Sequence, residues 1–439
     1  MKKVVKFGGS SVADAIQLSK VKNIILSDPD RKYVIVSAPG KRYSDDNKVT
    51  DLLYLCKTHV DHNIPVDHIF QVICDRFRIM EVNLKVDVNI SAELEEIRKN
   101  LKPGVTADYI ASRGEYLCGR LTAAYLGYDF VDPAGLILFD EKGRYLSEET
   151  QKTLSAELAK HKNAVIPGFY GSMPDGSIKT FSRGGSDVTG SLVAKAVNAD
   201  IYENWTDVSG FLMADPRIVE NPKPIERITY KELRELSYMG ASVLHEDAVF
   251  PVREVNIPIN IRNTNAPRDK GTLIVEGTCR QPKYTITGIA GTDGFVAITV
   301  EKAMMNSEVG FCRKVLQVFE DNGVSIEHMP SGIDTMSIFV NKDVFEEKEQ
   351  KILSDIHKAV DPDHIELESN LALIAVVGRG MKSTRGTAGR IFSALAHAHI
   401  NVKMIDQGSS ELNIIIGVRH DDFKNAIRAL YEIFVLTQI

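Results

Sequence analysis

Apolar and polar residues follow two rhythms over the first 280 or so positions of the chain. The short apolar or β-branched runs Val4-Val5, Tyr33-Val34-Ile35-Val36, Ala164-Val165-Ile166, Asp200-Ile201-Tyr202 and Pro258-Ile259-Asn260-Ile261 predict strands. Helical periodicity between them covers 12 to 27, 106 to 126, 148 to 161, 186 to 198 and 230 to 238. Strands that alternate with helices predict an α/β domain on a largely parallel sheet, where ligands sit at the points at which strands end and helices begin.

Beyond Gly277-Thr278-Cys279-Arg280-Gln281-Pro282-Lys283, a stretch of Gly, Pro and charge without apolar periodicity, the pattern changes. Residues 297 to 340 recur as 373 to 416 at a constant offset of 76, so that Ile298 matches Ile374, Gly310 matches Gly386, Val315 matches Ile391 and Ile338 matches Ile414. Each copy reads as strand, amphipathic helix, two strands and a final helix, a ferredoxin-like βαββαβ unit present twice. The expected division is an α/β domain over 1–282, a linker and first strand of the tail over 283–302, and repeats over 303–370 and 371–439.

Composition narrows the function. A chain of 439 residues with 44% hydrophobic content supports more than one ordinary core. A net charge of -6, with acids and bases interspersed, disfavours nucleic acid or an anionic membrane as partner and points to a small ligand. Five scattered cysteines without a Cys-x-x-Cys pair argue against a disulfide framework or a thiolate zinc site and fit a reducing cytoplasm. The start Met1-Lys2-Lys3-Val4-Val5 has too few apolar residues for a signal-peptide core, and no apolar run reaches bilayer-spanning length.

The candidate chemistry lies in two glycine loops. Lys6-Phe7-Gly8-Gly9-Ser10-Ser11 follows the first strand, and Phe181-Ser182-Arg183-Gly184-Gly185-Ser186-Asp187 opens onto the apolar stretch from Val188. Glycines let backbone N–H groups approach an anion, a following helix adds its positive end, and Lys6 adds a full charge. The two loops are expected to form two sides of one phosphate site. No Gly-x-x-x-x-Gly-Lys-Ser/Thr occurs, and Gly378-x-Gly380 lacks the third glycine of a dinucleotide loop. His59 with His62, and His397 with His399, have no partners at zinc-ligand spacing.

Taken with Trp205-Thr206-Asp207, Asp215-Pro216-Arg217 and the duplicated tail, these loops resemble the aspartate kinases of the amino acid kinase family over nearly the whole chain. The resemblance implies a three-layer α/β kinase domain followed by two ACT domains, and transfer of the γ-phosphoryl group of ATP, with Mg2+, to the β-carboxylate of L-aspartate. It implies Lys6 and Asp187 as catalytic groups, and Lys6, Gly8, Gly9, Ser10, Thr206, Asp207, Leu212, Arg217 and Ser242 on the nucleotide side. It further implies Ser37, Thr50, Glu115, Arg183, Gly184, Gly185 and Ser186 around the amino acid, with Glu115 on its ammonium and Arg183 on its α-carboxylate. Leu212 and Ser242 depart from the family, where tyrosine and lysine are frequent.

In the tail, the resemblance implies an effector site at Met304, Asn306, Ser325, Ile326 and Glu327, and a homodimer or dimer of dimers formed through the ACT domains. Glu327 offers a charge for an effector ammonium, whereas the position 76 residues on is Lys403, so the copies have diverged. Lysine is the expected effector, with threonine, alone or in concert, as the alternative. The rival readings are a kinase for acetylglutamate, glutamate or uridylate, and a catalytically silent amino-acid sensor. The tandem tail and the Glu115/Arg183 pairing favour aspartate, and Lys6, Arg183 and Asp187 count against the silent sensor.

Overall fold

The structure, a computed structural model, describes residues 1–182, 184–241, 244, 248–277 and 284–437. The expected linker around 277–283 lies almost wholly outside them. The chain packs as two compact units: Met1–Phe211, Pro224–Tyr230 and Val243–Thr278 form the first, and Leu212–Lys223, Lys231–Ser242 and Cys279–Ile439 form the second.

The first stretch of chain runs β1 (Lys3–Phe7), α1 (Ala15–Leu26), β2 (Arg31–Val36), α2 (Val49–Asp61), α3 (Asp67–Leu84), α4 (Ile90–Asn100), α5 (Ala107–Leu126), β3 (Asp129–Phe130), α6 (Ser147–Leu158), β4 (Ala164–Pro167), β5 (Tyr170–Ser172), β6 (Ile178–Thr180) and α7 (Gly185–Ala196). It continues through β7 (Ile201–Thr206), β8 (Arg227–Thr229), α8 (Tyr230–Tyr238), α9 (Phe250–Glu254), β9 (Ile259–Asn263) and β10 (Thr272–Val275). The strands of the first unit form an eight-stranded sheet in the order β3-β4-β2-β1-β7-β9-β10-β8, beside the small β5-β6 hairpin. Every pairing in the large sheet is parallel except β9 with β10. This is the expected largely parallel sheet.

Its strands read as nearly continuous apolar runs because both faces are covered. On one face Leu18, Val21 and Ile25 of α1, Phe70, Ile73 and Phe77 of α3, and Leu117 and Leu121 of α5 close over Val5, Phe7, Val34 and Val36. Asp14 caps α1 by accepting from Gln17 N at 2.8 Å, and Thr106 caps α5 by accepting from Tyr109 N. The pattern-based expectation does not extend over α2 to α4, whose apolar stripes are interrupted by many charged residues.

One strand carries buried charge. Glu203 on β7 is 2% exposed. Its carboxylate accepts from Arg31 Nε at 2.8 Å and from Trp205 Nε1 at 2.9 Å, with Lys3 Nζ at 3.7 Å. The Arg31 and Arg262 guanidinium groups also lie over the Trp205 ring.

The second unit runs β11 (Gly288–Glu301), α10 (Phe311–Asp321), β12 (Ile326–His328), β13 (Thr335–Asn341), α11 (Lys342–Glu346), α12 (Glu349–Val360), β14 (His364–Val377), α13 (Thr387–His397), β15 (Met404–Asp406), β16 (Asn413–Arg419) and α14 (Phe423–Tyr431). All its strands form one antiparallel sheet in the order β12-β13-β11-β14-β16-β15. The sheet curls until its edge strands approach each other, and His328 Nδ1 on β12 lies 2.8 Å from Asp406 Oδ2 on β15. Lys231 to Tyr238 of α8 also pack in this unit. Glu232 is fully buried and accepts from Arg379 Nη1 at 3.0 Å and Thr287 Oγ1 at 2.5 Å, Asn413 Nδ2 donates to Glu235, and Tyr238 OH donates to Glu327.

The constant offset of the repeat requires correction. Ile298 pairs across the sheet with Ile338, and Ile374 pairs with Ile416, not with Ile414. The offset holds through the helix ends, where Val324 N donates to Phe319 O and Ile400 N to Leu395 O, so two extra residues enter the second copy between Ile400 and Met404. Glu327 therefore corresponds to Ile405, and Lys403 corresponds to Ser325. The repeats still differ in charge, but the Glu327–Lys403 comparison does not describe equivalent positions.

Replacing Glu203 with Ala leaves the buried Arg31 guanidinium without its carboxylate. The expected loss is about 3–5 kcal/mol of stability in the first unit, read as a shift in denaturant midpoint by fluorescence of Trp205, the chain's one tryptophan. A loss below about 1 kcal/mol would rank this cluster with ordinary surface pairs.

Candidate active site

The site is built on the C-terminal ends of β4, β2, β1 and β7, adjacent strands at the centre of the sheet. Lys6 lies on β1 opposite Asn204 of β7 and is buried. Its Nζ meets Asp187 Oδ1 at 2.6 Å, and Asn204 Nδ2 donates to the same oxygen at 2.8 Å. Both contacts fall on Oδ1, and among the described residues Oδ2 of Asp187 takes no hydrogen bond.

The first glycine loop differs in detail from the expected anion cradle. Gly8 N donates to Trp205 O at 3.0 Å, so this amide is already committed. An added Cβ on Gly8 would stand 3.6 Å from Lys6 Nζ, an ordinary contact that would place a methyl group beside the ammonium. Gly9 is pressed against the turn after β2: Gly40 N donates to Gly9 O at 2.8 Å, and a Cβ on Gly40 would come within 2.6 Å of the Gly9 carbonyl carbon. A 3-10 turn over Gly9–Val12 separates the loop from α1, which starts only at Ala15. Gly9 and Ser10 remain the loop's candidate donors.

Arg76, which sequence reasoning missed, fastens these loops from α3. It is 4% exposed and donates to Asn47 O at 2.9 Å, to Ala13 O at 3.0 Å and to Gly40 O. Asp46, 3.5 Å from it, also takes Arg42 Nε at 2.8 Å, and these cations hold its carboxyl well below the usual carboxylate range. Arg76 reads in sequence as one more charge on an amphipathic helix. Asn204 was also missed, although two successive polar residues, Glu203 and Asn204, in a central strand are a legible sign of buried polar contacts.

The second glycine loop enters α7 directly. Gly184, with φ 65°, precedes the helix, and Ser186 and Asp187 lie in its first turn rather than ahead of it. The Asp187 side chain does not cap the helix but is turned to Lys6 and Asn204. Ser186 is buried against Gly168, just after β4. Arg183 and Ser242 lie outside the described residues.

Glu115 on α5 reaches the same end of the sheet. It is 5% exposed, its Oε2 has no hydrogen-bond partner among the described residues, and burial pushes its carboxyl up to about 8, partly offset by the Ala38 amide and the Arg113 charge. Ala38 follows Ser37, whose own amide donates to Phe7 O at 3.2 Å. Thr50 is half-buried in the first turn of α2, which is fixed by Val49 N donating to Pro39 O at 3.1 Å. The structure thus gathers Lys6, Gly8, Gly9, Ser10, Ser37, Thr50, Glu115 and Gly184 to Asp187 at one edge. Thr206 and Asp207 follow at the end of β7, where Thr206 Oγ1 accepts from Val208 N at 3.0 Å. Leu212 and Arg217 belong to the second unit, and Arg217 is exposed and paired with Asp215 at 2.6 Å.

Residues 1–263 match the amino acid kinase family, and 374–434 match the ACT domain family. The chain is 39% identical to aspartokinase 3 of Bacillus subtilis over 450 aligned positions, covering 98% of each chain. A solved aspartate kinase of Clostridium acetobutylicum, described as an allosteric enzyme, is 53% identical with a TM-score of 0.91, covering 99% of this chain and all of that one. The chain belongs to the aspartate kinases of the amino acid kinase family. The Escherichia coli aspartokinase III structure with aspartate and ADP, at 23% identity and a TM-score of 0.76, shares the fold. As a family member this aspartate kinase carries its ACT region in the curled second sheet. Among its described residues no helix is long and apolar enough to cross a membrane, and no group of three or more His, Cys, Asp or Glu is placed to hold a metal ion.

The buried Glu115 gives the ligand-free protein a pH signature. Its folded value of about 8 lies above the ordinary 4.5, so its neutral form favours folding at low pH. That contribution fades as pH rises from the ordinary value through the folded one. Relative to Glu115→Gln, the native chain should therefore lose stability between about pH 4.5 and 8, by more than about 1 kcal/mol. Denaturant midpoints of the two proteins at the ends of that window check it; parallel curves would contradict the burial of an isolated carboxyl.

Proposed function

We propose that this chain transfers the γ-phosphoryl group of ATP to the β-carboxylate of L-aspartate, giving 4-phospho-L-aspartate, in the cytoplasm. The observation that carries this reading is the Lys6–Asp187 pair joining two glycine loops beside a buried, half-satisfied Glu115. The acceptor carboxylate is ionised at neutral pH, with a free-solution value near ~3.9, so no general base is needed. The obstacle is the approach of two anions, and catalysis consists of positioning and charge neutralisation.

Lys6 places its ammonium on the transferring phosphoryl group, and Asp187 with Asn204 keeps it there. Gly9 and Ser10 direct backbone N–H groups at the phosphoryl oxygens, and Gly8 keeps the approach clear. Glu115 receives the substrate ammonium, Arg183 and the Gly184-Gly185-Ser186 turn receive its α-carboxylate, and Ser37 and Thr50 supply hydroxyls. Thr206, Asp207, Leu212, Arg217 and Ser242 form the nucleotide side, with Leu212 giving an apolar contact in place of a phenol and Ser242 a hydroxyl in place of a cation. Mg2+ fits as an ion held mainly by the nucleotide phosphates, where Oδ2 of Asp187 is available to it or to its waters. When bound, it neutralises phosphate charge. Lysine acts as end-product effector through Met304, Asn306, Ser325, Ile326 and Glu327, with threonine as the alternative, on homodimers or dimers of dimers built through the ACT region.

An ATP-dependent hydroxamate assay with aspartate, glutamate and acetylglutamate as acceptors tests the reaction, and product with aspartate alone is expected. Lys6→Ala should reduce kcat by roughly 10²–10³-fold. Product with none of the acids would leave the silent-sensor reading instead. Substrate binding should also carry a proton signature, because an ammonium beside Glu115 favours the carboxylate. Aspartate binding near pH 7 is therefore expected to release a proton, seen as a dependence of calorimetric heat on buffer ionisation enthalpy that disappears in Glu115→Gln. Lysine and threonine, separately and together, should lower the rate at saturating substrate; no response to either would remove the effector assignment.

A further inference from the structure

A second cavity in the first unit has chemistry that phosphoryl transfer does not use. It has a volume of about 580 Å³, within the range of small-molecule sites. The loop between α4 and α5, α5 itself, Asp132 and the β5–β6 turn line this open cavity, and Asn100, Lys102, Tyr109, Arg113, Asp132 and Ser177 supply its polar lining. Val105 and Ile178 supply apolar wall.

Arg113 is the unusual member. It is 8% exposed, its Nε and Nη2 donate to Ser112 Oγ at 3.1 and 3.0 Å, and its guanidinium lies among the rings of Tyr109, Tyr116 and Tyr170 at 4.8, 4.6 and 5.5 Å. Among the described residues no carboxylate comes within 4.0 Å of it. Ring faces and one hydroxyl only partly compensate a buried cation. Asp132 lines the same cavity but is held away from Arg113: its Oδ1 accepts from Tyr170 OH at 2.9 Å and from Ala134 N at 3.0 Å. Among the described residues its Oδ2 takes no hydrogen bond. Tyr109 OH accepts from Asn100 Nδ2 at 3.0 Å, so its own proton is available to a ligand.

Beside the exposed Lys102, the buried Arg113 and the half-buried Asp132 face one cavity as opposite charges without an ion pair between them, which matches a ligand that carries both charges. We propose that this cavity binds a zwitterionic α-amino acid with an apolar side chain, its carboxylate on Arg113 and its ammonium on Asp132. The bidentate geometry of guanidinium suits a carboxylate, and Val105 and Ile178 favour an apolar side chain. The site is separate from the Lys6–Asp187 edge and does not rest on the kinase reading.

Calorimetric titration of the full chain with L-valine and L-phenylalanine, with isobutyrate as a carboxylate lacking the ammonium, tests it. At least one amino acid should bind, and isobutyrate at least tenfold more weakly. Asp132→Asn preserves both acceptor bonds at Oδ1 and should weaken the amino acid at least tenfold while leaving isobutyrate unchanged. Arg113→Gln should abolish both, with circular dichroism checking its fold. Absence of amino-acid binding, equal affinity for isobutyrate, or binding unaffected by Asp132→Asn would each overturn the proposal; the last places the ligand elsewhere, as in the ACT region. The hydroxamate assay on the same samples reports independently on phosphoryl transfer.

Discussion

The Lys6–Asp187 ion pair is the contact on which the geometry of this edge of the sheet depends. Its partners come from strand β1 and from the first turn of α7, and at 2.6 Å, with both side chains largely buried, the pair ties the two glycine loops together. A desolvated pair of this kind gives little net stability compared with an apolar contact, yet losing either partner strands a buried charge. That asymmetry makes it a good positioning device. Asn204 shares the same carboxylate oxygen, so rotation of Asp187 away from Lys6 would break two bonds at once.

The same edge holds a second carboxyl in the opposite condition. Asp187 has a cation and an amide donor within hydrogen-bond distance, whereas Glu115 is buried with one oxygen unpartnered among the described residues and is pushed up to about 8. Two chemically similar groups are thereby given different surroundings, one ion-paired and one desolvated.

Much of this was legible in sequence, for identifiable physical reasons. The strands β1, β2, β4, β7 and β9 announce themselves because burial on both faces demands continuous apolar runs, and the glycine loops do so because backbone approach excludes side chains. Arg76 was not legible, since the carbonyls of Ala13, Gly40 and Asn47 that it gathers meet only through tertiary packing. Nor was the commitment of the Gly8 amide to Trp205 O, which depends on how β1 and β7 are paired. The error of two residues in the repeat offset has the same origin. Apolar residues alternate along a strand with period two, so a shift of two keeps the same residues facing the core and hides the insertion.

That insertion also shows how the two repeats share structure. Residues 297–301 of β11 pair with 364–368 of β14, whereas 288–293 of β11 pair with 372–377 of β14. The first repeat takes the later half of β11 and the earlier half of β14; the second takes the later half of β14 and is closed by 288–293, which precede the first repeat in the chain. A division between Asn370 and Leu371 follows the sequence period but passes through the middle of β14. Each repeat supplies an edge without which the other exposes unpaired backbone, a costly state for an apolar strand such as Leu371–Val377. The repeats are thus one cooperative sheet carrying two diverged sequences, and a change of register in either must be accommodated by both.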